Sequence, residues 1–230
     1  MKPRRGEQPF LSDVAWMRHN LYFLLSGLLL PPAPEILAAA AVVARELRPA
    51  PWAPRMAFWQ AADTVLKRVE GSNAPMAAQL RESYRQLFVG NGASPTVSLC
   101  ESGYLTSTAS PGLQCDPPLE GEYAGAGLSV STQVGAADHA AVELEFLAYL
   151  CSREAEAWER HALGEALSSL RRQQRFLDQH PGRWIPTLAG VLGSRPTCFY
   201  TDVIRAVRGL VAHDANFAQA LVAALGATER

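Results

Sequence analysis

Along this chain apolar positions recur at helical spacing in run after run. From about Asp13 to Leu30 the run is nearly continuous, with Ser12 or Asp13 available as an N-cap and Pro31, Pro32 and Pro34 to end it. Pro34 suits the first turn of a second helix that carries Ile36, Leu37, Ala40, Ala41, Val43, Ala44 and Leu47 on one period, and the Pro-rich stretch at 49–54 stops it. Further helices are expected over 55–69 and 75–89, with Gly71, Ser72 and Asn73 between them. From Gly90 to Asp116 the residues become Gly, Ser, Thr and Pro with isolated apolar positions, a long loop of the kind that in compact proteins is functional or disordered. A short helix near 118–127 and a second loop of small residues, Ser129 to Ala137, precede the strongest helical stretch, which Asp138 opens and which runs to about Arg160. The remaining helices fall at 162–179, 183–192, 197–212 and 214–225. No train of alternating β-branched residues and no internal repeat interrupts this pattern. The predicted class is all-α: a flexible tail at 1–11, a helical lobe at 12–128, a hinge at 129–137 and a second lobe at 138–230.

The apolar run Leu21 to Leu30 has the length of a signal-peptide core, but Arg18 and His19 abut it, three prolines follow, and no small-residue cleavage site is present. It is also too short to span a bilayer, so a first core helix is the expected role. Arg4-Arg5 resembles the start of a twin-arginine export signal, yet Glu7 and Pro9 come next with no apolar stretch directly behind them. The expected location is the cytoplasm, without stable membrane insertion. The cysteines at 100, 115, 151 and 198 lack C-x-x-C spacing, and free thiols, mostly buried, are expected.

With 230 residues, 48% of them hydrophobic, the chain has material for a sizeable core. Its net charge of -1 excludes binding to nucleic acid driven by overall charge. That total hides an asymmetry. No Lys or Arg occurs from Gln86 through Ser152, while Glu101, Asp116, Glu120, Glu122, Asp138, Glu143 and Glu145 give the section a net charge of -7. The rest of the chain, with twenty-one bases against fifteen acids, is net +6.

Several chemistries lack their residues. There is no G-x-S-x-G, no H-E-x-x-H, no Gly-Lys pair for a phosphate loop and no Glu-x-x-His for a di-iron bundle. His139 and Glu143, four apart, share a helix face with metal-compatible spacing; the simpler reading makes Asp138 the N-cap, His139 the first helical residue and Glu143 a solvated side chain. Arg171, Arg172 and Arg175 lack interleaved aromatics and read as a solvated helix face. No catalytic residue, resident cofactor or metal site is therefore predicted, and no nucleic-acid partner. A small helical metal-binding protein or enzyme, and a helical assembly or transcription adaptor, are the alternative classes. What the acidic section offers is carboxylates without local bases, near the aromatics Tyr84, Phe88, Tyr104 and Tyr123. Such a surface suits a peptide both basic and apolar, because guanidinium groups bind carboxylates through paired hydrogen bonds and stack on rings.

The order of four motifs resembles the TorD/DmsD/NarJ family of chaperones that mature molybdenum enzymes. Arg18-His19-Asn20-Leu21-Tyr22-Phe23-Leu24-Leu25 with Pro31-Pro32 is similar to its first helix and exit. Tyr84-Arg85-Gln86-Leu87-Phe88 followed by Glu101-Ser102-Gly103-Tyr104-Leu105 is similar to its aromatic helix end and E-S-x-Y loop. Asp138-His139 leading into Glu143-Leu144-Glu145-Phe146-Leu147 resembles its hinge signature, with Gly135 and Ala137 standing where relatives usually have Glu and Pro. Phe176 to His180, Trp184-Ile185-Pro186 and Phe199-Tyr200 resemble its C-terminal part. The resemblance implies a two-lobed helical fold, no catalysis, and a monomer or homodimer. Its partner would be an apo molybdenum-enzyme catalytic subunit, whose N-terminal segment or twin-arginine signal is held until cofactor insertion. The residues it implies for client binding are Asp138 and His139 at the hinge and Glu101, Ser102 and Tyr104 in the loop; Glu143, Tyr84, Phe88 and Tyr123 join them from the charge and aromatic pattern.

Overall fold

A computed structural model describes residues 11–47, 53–72, 74–90, 97–105, 119–130 and 136–226. Residues 1–10 of the tail predicted at 1–11, most of the long loop, the hinge centre at 131–135 with Gly135, and Arg4-Arg5, Trp52, Cys115 and Asp116 lie outside them, while Leu11 already belongs to the first helix. The described residues form nine α-helices and no strand. They are α1 Leu11–Leu28, α2 Pro34–Leu47, α3 Trp59–Glu70, α4 Ala74–Tyr84, α5 Leu119–Ala124, α6 Ala140–Glu159, α7 Leu163–Gln179, α8 Pro181–Gly193 and α9 Phe199–Gly226. No described helix is long and apolar enough to cross a membrane.

The predicted helix from Asp13 to Leu30 is α1, the most deeply packed element on the N-terminal side: Leu21, Tyr22, Leu24, Leu25 and Leu28 are buried. It lies antiparallel along α6, because Trp16 Nε1 donates to Glu159 near the end of α6 while His19 Nδ1 donates to the Ala148 carbonyl further back. One buried cluster runs from Met17 through the helices on both sides of residues 129–137 to Val211.

Two predicted helices, 197–212 and 214–225, are one helix of 28 residues, α9. The expected break between 212 and 214 is absent: the Asp214 carboxylate points into the core, where it accepts from Arg18. Nothing therefore interrupts the helix at that point. The predicted helix at 75–89 ends its α-helical part at Tyr84; residues 85–89 widen into a π turn, closed by Gly90 N–H donating to Arg85 O at 2.7 Å. Gly90 has φ of 72°, a left-handed value that favours glycine. The α7–α8 corner likewise depends on Gly182, where an added Cβ would collide with the Leu177 carbonyl.

The helices are locked together by one buried polar knot. Arg18, fully buried in α1, donates from Nε to Asp214 Oδ2 in α9 at 2.7 Å, from Nη1 to Glu154 Oε2 in α6 at 2.8 Å, and from Nη2 to Gln173 in α7. Gln173 Nε2 also donates to Glu154 Oε2 at 2.9 Å, and His213 lies against Asp214 Oδ1 at 3.1 Å. Burial alone would raise the Asp214 carboxyl, but the Arg18 guanidinium and the His213 contact hold it below the usual carboxylate range.

Replacing Arg18 with Met would leave the Glu154 and Asp214 carboxylates in the core without the guanidinium that neutralises them. The expected loss is roughly 3–5 kcal/mol in urea denaturation, against about 0.5 kcal/mol or less for Lys67→Ala, which breaks the exposed pair with Asp63. Because Asp214 is held below its unfolded value, its contribution in the native protein should be present at neutral pH and fall away as pH drops through the folded value.

Candidate functional site

Residues 97–105 cross the start of α6 and are fastened to it by an isolated antiparallel bridge between Cys100 and His139. Ala140 N–H donates to Leu99 O at 2.7 Å, and Glu101 N–H donates to Asp138 O at 2.9 Å. The Asp138 carboxylate then accepts the Ser102 N–H at 2.9 Å. The E-S-x-Y loop and the Asp-His pair, thirty-odd residues apart in sequence, thus form one unit.

The helix cap differs from the expected one. His139, not Asp138, is the N-cap of α6: its backbone is extended and its Nδ1 accepts the Ala141 N–H at 3.1 Å. Accepting at Nδ1 requires the neutral ring, and burial pushes the His139 pKa down, in keeping with that role. Asp138 is free of the cap because the loop takes its carboxylate. Glu143, expected in solvent, is fully buried. It stands on the Ala140–Leu144–Leu147 face of α6, and its Oε2 accepts the Trp184 Nε1–H of α8 at 3.0 Å.

Glu101 turns inward as well, where His180 Nδ1 at the α7–α8 corner lies 3.1 Å from its Oε2. Two carboxyl groups are thereby enclosed between loop, α6 and α8. Burial, then the charge of Glu101, push Glu143 well above the ordinary carboxylate range, so Glu143 favours the neutral acid. Its Oε1 and His180 Nε2 are buried without a hydrogen-bond partner among the described residues. Tyr104 closes the unit from outside: its ring stacks on Trp184 with centroids 5.4 Å apart, and its hydroxyl donates to Ser98 O at 2.8 Å. Ser102 is exposed at the surface of the same turn.

Of the nine residues predicted from sequence, Glu101, Ser102, Tyr104, Asp138, His139 and Glu143 meet here. Tyr123 of α5 borders them, donating from its hydroxyl to Ala137 O at 2.9 Å, and burial pushes its phenol pKa up. Tyr84 and Phe88 stand apart in an edge-to-face cluster with Tyr200, where the Tyr84 hydroxyl donates to Leu29 O. His180, at the α7–α8 corner, belongs to the same unit, but no charge or spacing signal in sequence points to it. Among the described residues no group of three or more His, Cys, Asp and Glu side chains is placed to hold a metal.

On the far side of Tyr123 an open groove of about 300 Å³ separates α5 and the segment after it from α6. Tyr123, Leu128, Val130, Val142, Phe146 and Tyr149 line it, and the exposed Glu145 stands at its edge. One wall is braced by Arg172. Read from sequence as part of a solvated face, this side chain is half-buried: it donates to Gly125 O at 3.0 Å and Glu122 O at 2.5 Å, and its guanidinium lies 5.7 Å from the Phe146 ring centre. Its charge is spent on those carbonyls and on Glu122, leaving Glu145 as the groove's own charged side chain.

The model of the family described as nitrate reductase delta subunit matches residues 50–190, which includes the loop, the Asp-His pair and the α7–α8 corner. No curated protein and no solved structure matches the chain.

Glu143→Gln should separate a buried neutral acid from an ion. A carboxyl whose folded pKa is raised stabilises fully below its unfolded value, and that contribution is lost as pH rises through the folded value. The amide can still accept from Trp184 but does not ionise. The variant is therefore expected to lose less stability than the parent as pH rises above the unfolded carboxyl value, measured as the urea midpoint.

Proposed function

The chain belongs to the nitrate reductase delta subunit family, whose members are maturation chaperones of molybdoenzymes rather than catalysts, and from that premise we propose that it holds the N-terminal segment of an apo catalytic subunit until the molybdenum cofactor is inserted. The segment is an arginine-bearing signal or its equivalent, and the holding takes place in the cytoplasm, before export or assembly.

One observation carries this reading: an open aromatic groove with an exposed carboxylate lies in the part of the chain that has no Lys or Arg from 86 through 152. The client's apolar run packs on Leu128, Val142, Phe146 and Tyr149, gaining roughly 25 cal/mol for each Å² of apolar surface buried. Its arginines meet Glu145, an attraction that sets orientation and association rate more than total affinity. Ordering a flexible peptide offsets several kcal/mol of that gain, so binding stays moderate and the client can be released.

The residues at the loop and Asp-His pair take a different part in this scheme from the one their charges suggest. Glu101 and Glu143 are buried and Asp138 is bound to the loop backbone, so they act as positioning residues that hold the 97–105 turn against α6. Ser102 and Tyr104 are what this turn presents to a client, while Tyr123 of α5 lines the neighbouring groove and Glu145 supplies the accessible charge.

A labelled peptide with two adjacent arginines and an apolar run is expected to bind the full chain, and a peptide with glutamines for the arginines to bind more weakly. Glu145→Lys should weaken the arginine peptide about tenfold, a change of about 1.4 kcal/mol, with the melting curve unchanged. Added salt should weaken it too, because the groove carboxylate is solvent-exposed. Equal affinity for the two peptides, measured by calorimetry, would remove the charge contact from the mechanism.

A further inference from the structure

A second groove, of about 500 Å³, lies between α2 and α4 beside the end of α3, on elements that take no part in the first. Its apolar lining comes from Leu37, Ala41, Val42 and Ala77, and Val42 leaves 46% of its surface in solvent. Arg45 and Arg81 line the same groove, and both are exposed. Neither forms an ion pair with a described residue, whereas Lys67, Arg68, Arg85, Arg153, Arg160 and Arg205 all do. Glu70, the single carboxylate of the lining, is engaged in an interaction of its own.

The shape is that of two helices with a trough between them. Leu37, Ala41 and Arg45 follow one another at four-residue spacing along α2, and Ala77 and Arg81 do so along α4. Ridges at this spacing receive a third helix in their groove, and an amphipathic helix laid in an apolar trough is a recurrent way for two proteins to join. The two guanidinium groups give the trough a sign. Each presents forked donors that match a carboxylate and repel a cation.

We infer that the α2–α4 groove is a second docking surface, and that it takes an amphipathic helix of a partner protein with carboxylates along the edges of its apolar face. Apolar side chains of the partner cover Val42 and the exposed Ala38, and its carboxylates meet Arg45 and Arg81. The charge demanded is opposite to that of the α5–α6 groove, so one chain distinguishes two segments by sign. This inference rests on the α2–α4 surface alone and does not require the proposed client reading.

Two fluorescent helical peptides with the same leucine and alanine stripe, one flanked by glutamates and one by lysines, would test it by anisotropy with the full chain. The glutamate peptide is expected to bind at least tenfold more tightly. Arg45→Glu combined with Arg81→Glu should reverse the preference. Val42→Glu, at an exposed position, should weaken the glutamate peptide about tenfold, while Glu145→Lys in the other groove should leave it unchanged. Circular dichroism melting checks that each variant is folded, and sedimentation reports whether the chain self-associates. Equal binding of both peptides, binding of neither, or a preference that survives the double charge reversal would overturn the inference. So would a dimer that Val42→Glu dissociates, since the groove would then belong to a second copy of this chain.

Discussion

The fold depends on a single guanidinium. Arg18 has no contact with solvent, and its donors reach α6, α7 and α9 at once through Glu154, Gln173 and Asp214. Each partner belongs to a different helix, so the knot sets the rotation and axial position of α1 against three others in a way that apolar packing alone leaves looser. A buried ion network of this kind adds little net stability over well-packed hydrophobic residues, because its desolvation cost is large. Its effect here is geometric. With Arg18 placed, α1 runs antiparallel to α6, and the start of α6 is presented beside the 97–105 turn.

The same logic, at smaller scale, governs the loop. A turn rich in Gly, Ser and Thr has no apolar face to hold it down, and this one is held by backbone groups and by carboxylates that face inward. Glu101 against His180 and Asp138 against the Ser102 N–H tie the turn to α8 and to α6. Glu143, kept neutral, fills the space between them without adding a second buried charge. The section that reads from sequence as net -7 therefore exposes far less negative charge than its composition suggests. Three of its acids are committed to holding the turn, and Glu122 lies beside Arg172.

This explains what was legible in the sequence and what was not. The all-helical class and most helix positions follow from apolar period and proline placement, which are local properties. The convergence of Glu101, Asp138 and His139 was legible only through the order of motifs, since nothing local places residue 101 against residue 138. The direction in which charged side chains point was misread wherever a partner comes from far along the chain. The helix break expected between 212 and 214 is not there, because the Asp214 carboxylate is taken up by Arg18, 196 residues away. Glu143 looked solvated because Trp184 is 41 residues on, and Arg172 looked like surface because Gly125 and Glu122 are near it only in space. A sequence signal did exist for some of these: Arg18 shares a helix stripe with Val14, Leu21 and Leu25, and Glu143 shares one with Ala140 and Leu147. A charge on an otherwise apolar stripe points to a buried partner rather than to solvent.

The charge asymmetry of the chain then acquires a more specific meaning. Among the described residues, Glu145 is the exposed acid between 86 and 152 that lines a groove, and Arg45 and Arg81, bases outside that section with no ion pair to a described residue, line another. Both grooves have apolar floors, so the driving force for occupancy in either is burial of apolar surface, which carries no information about which segment arrives. Charge at the rim supplies that information, because a like charge at the edge of a desolvated contact costs more than the matching charge gains.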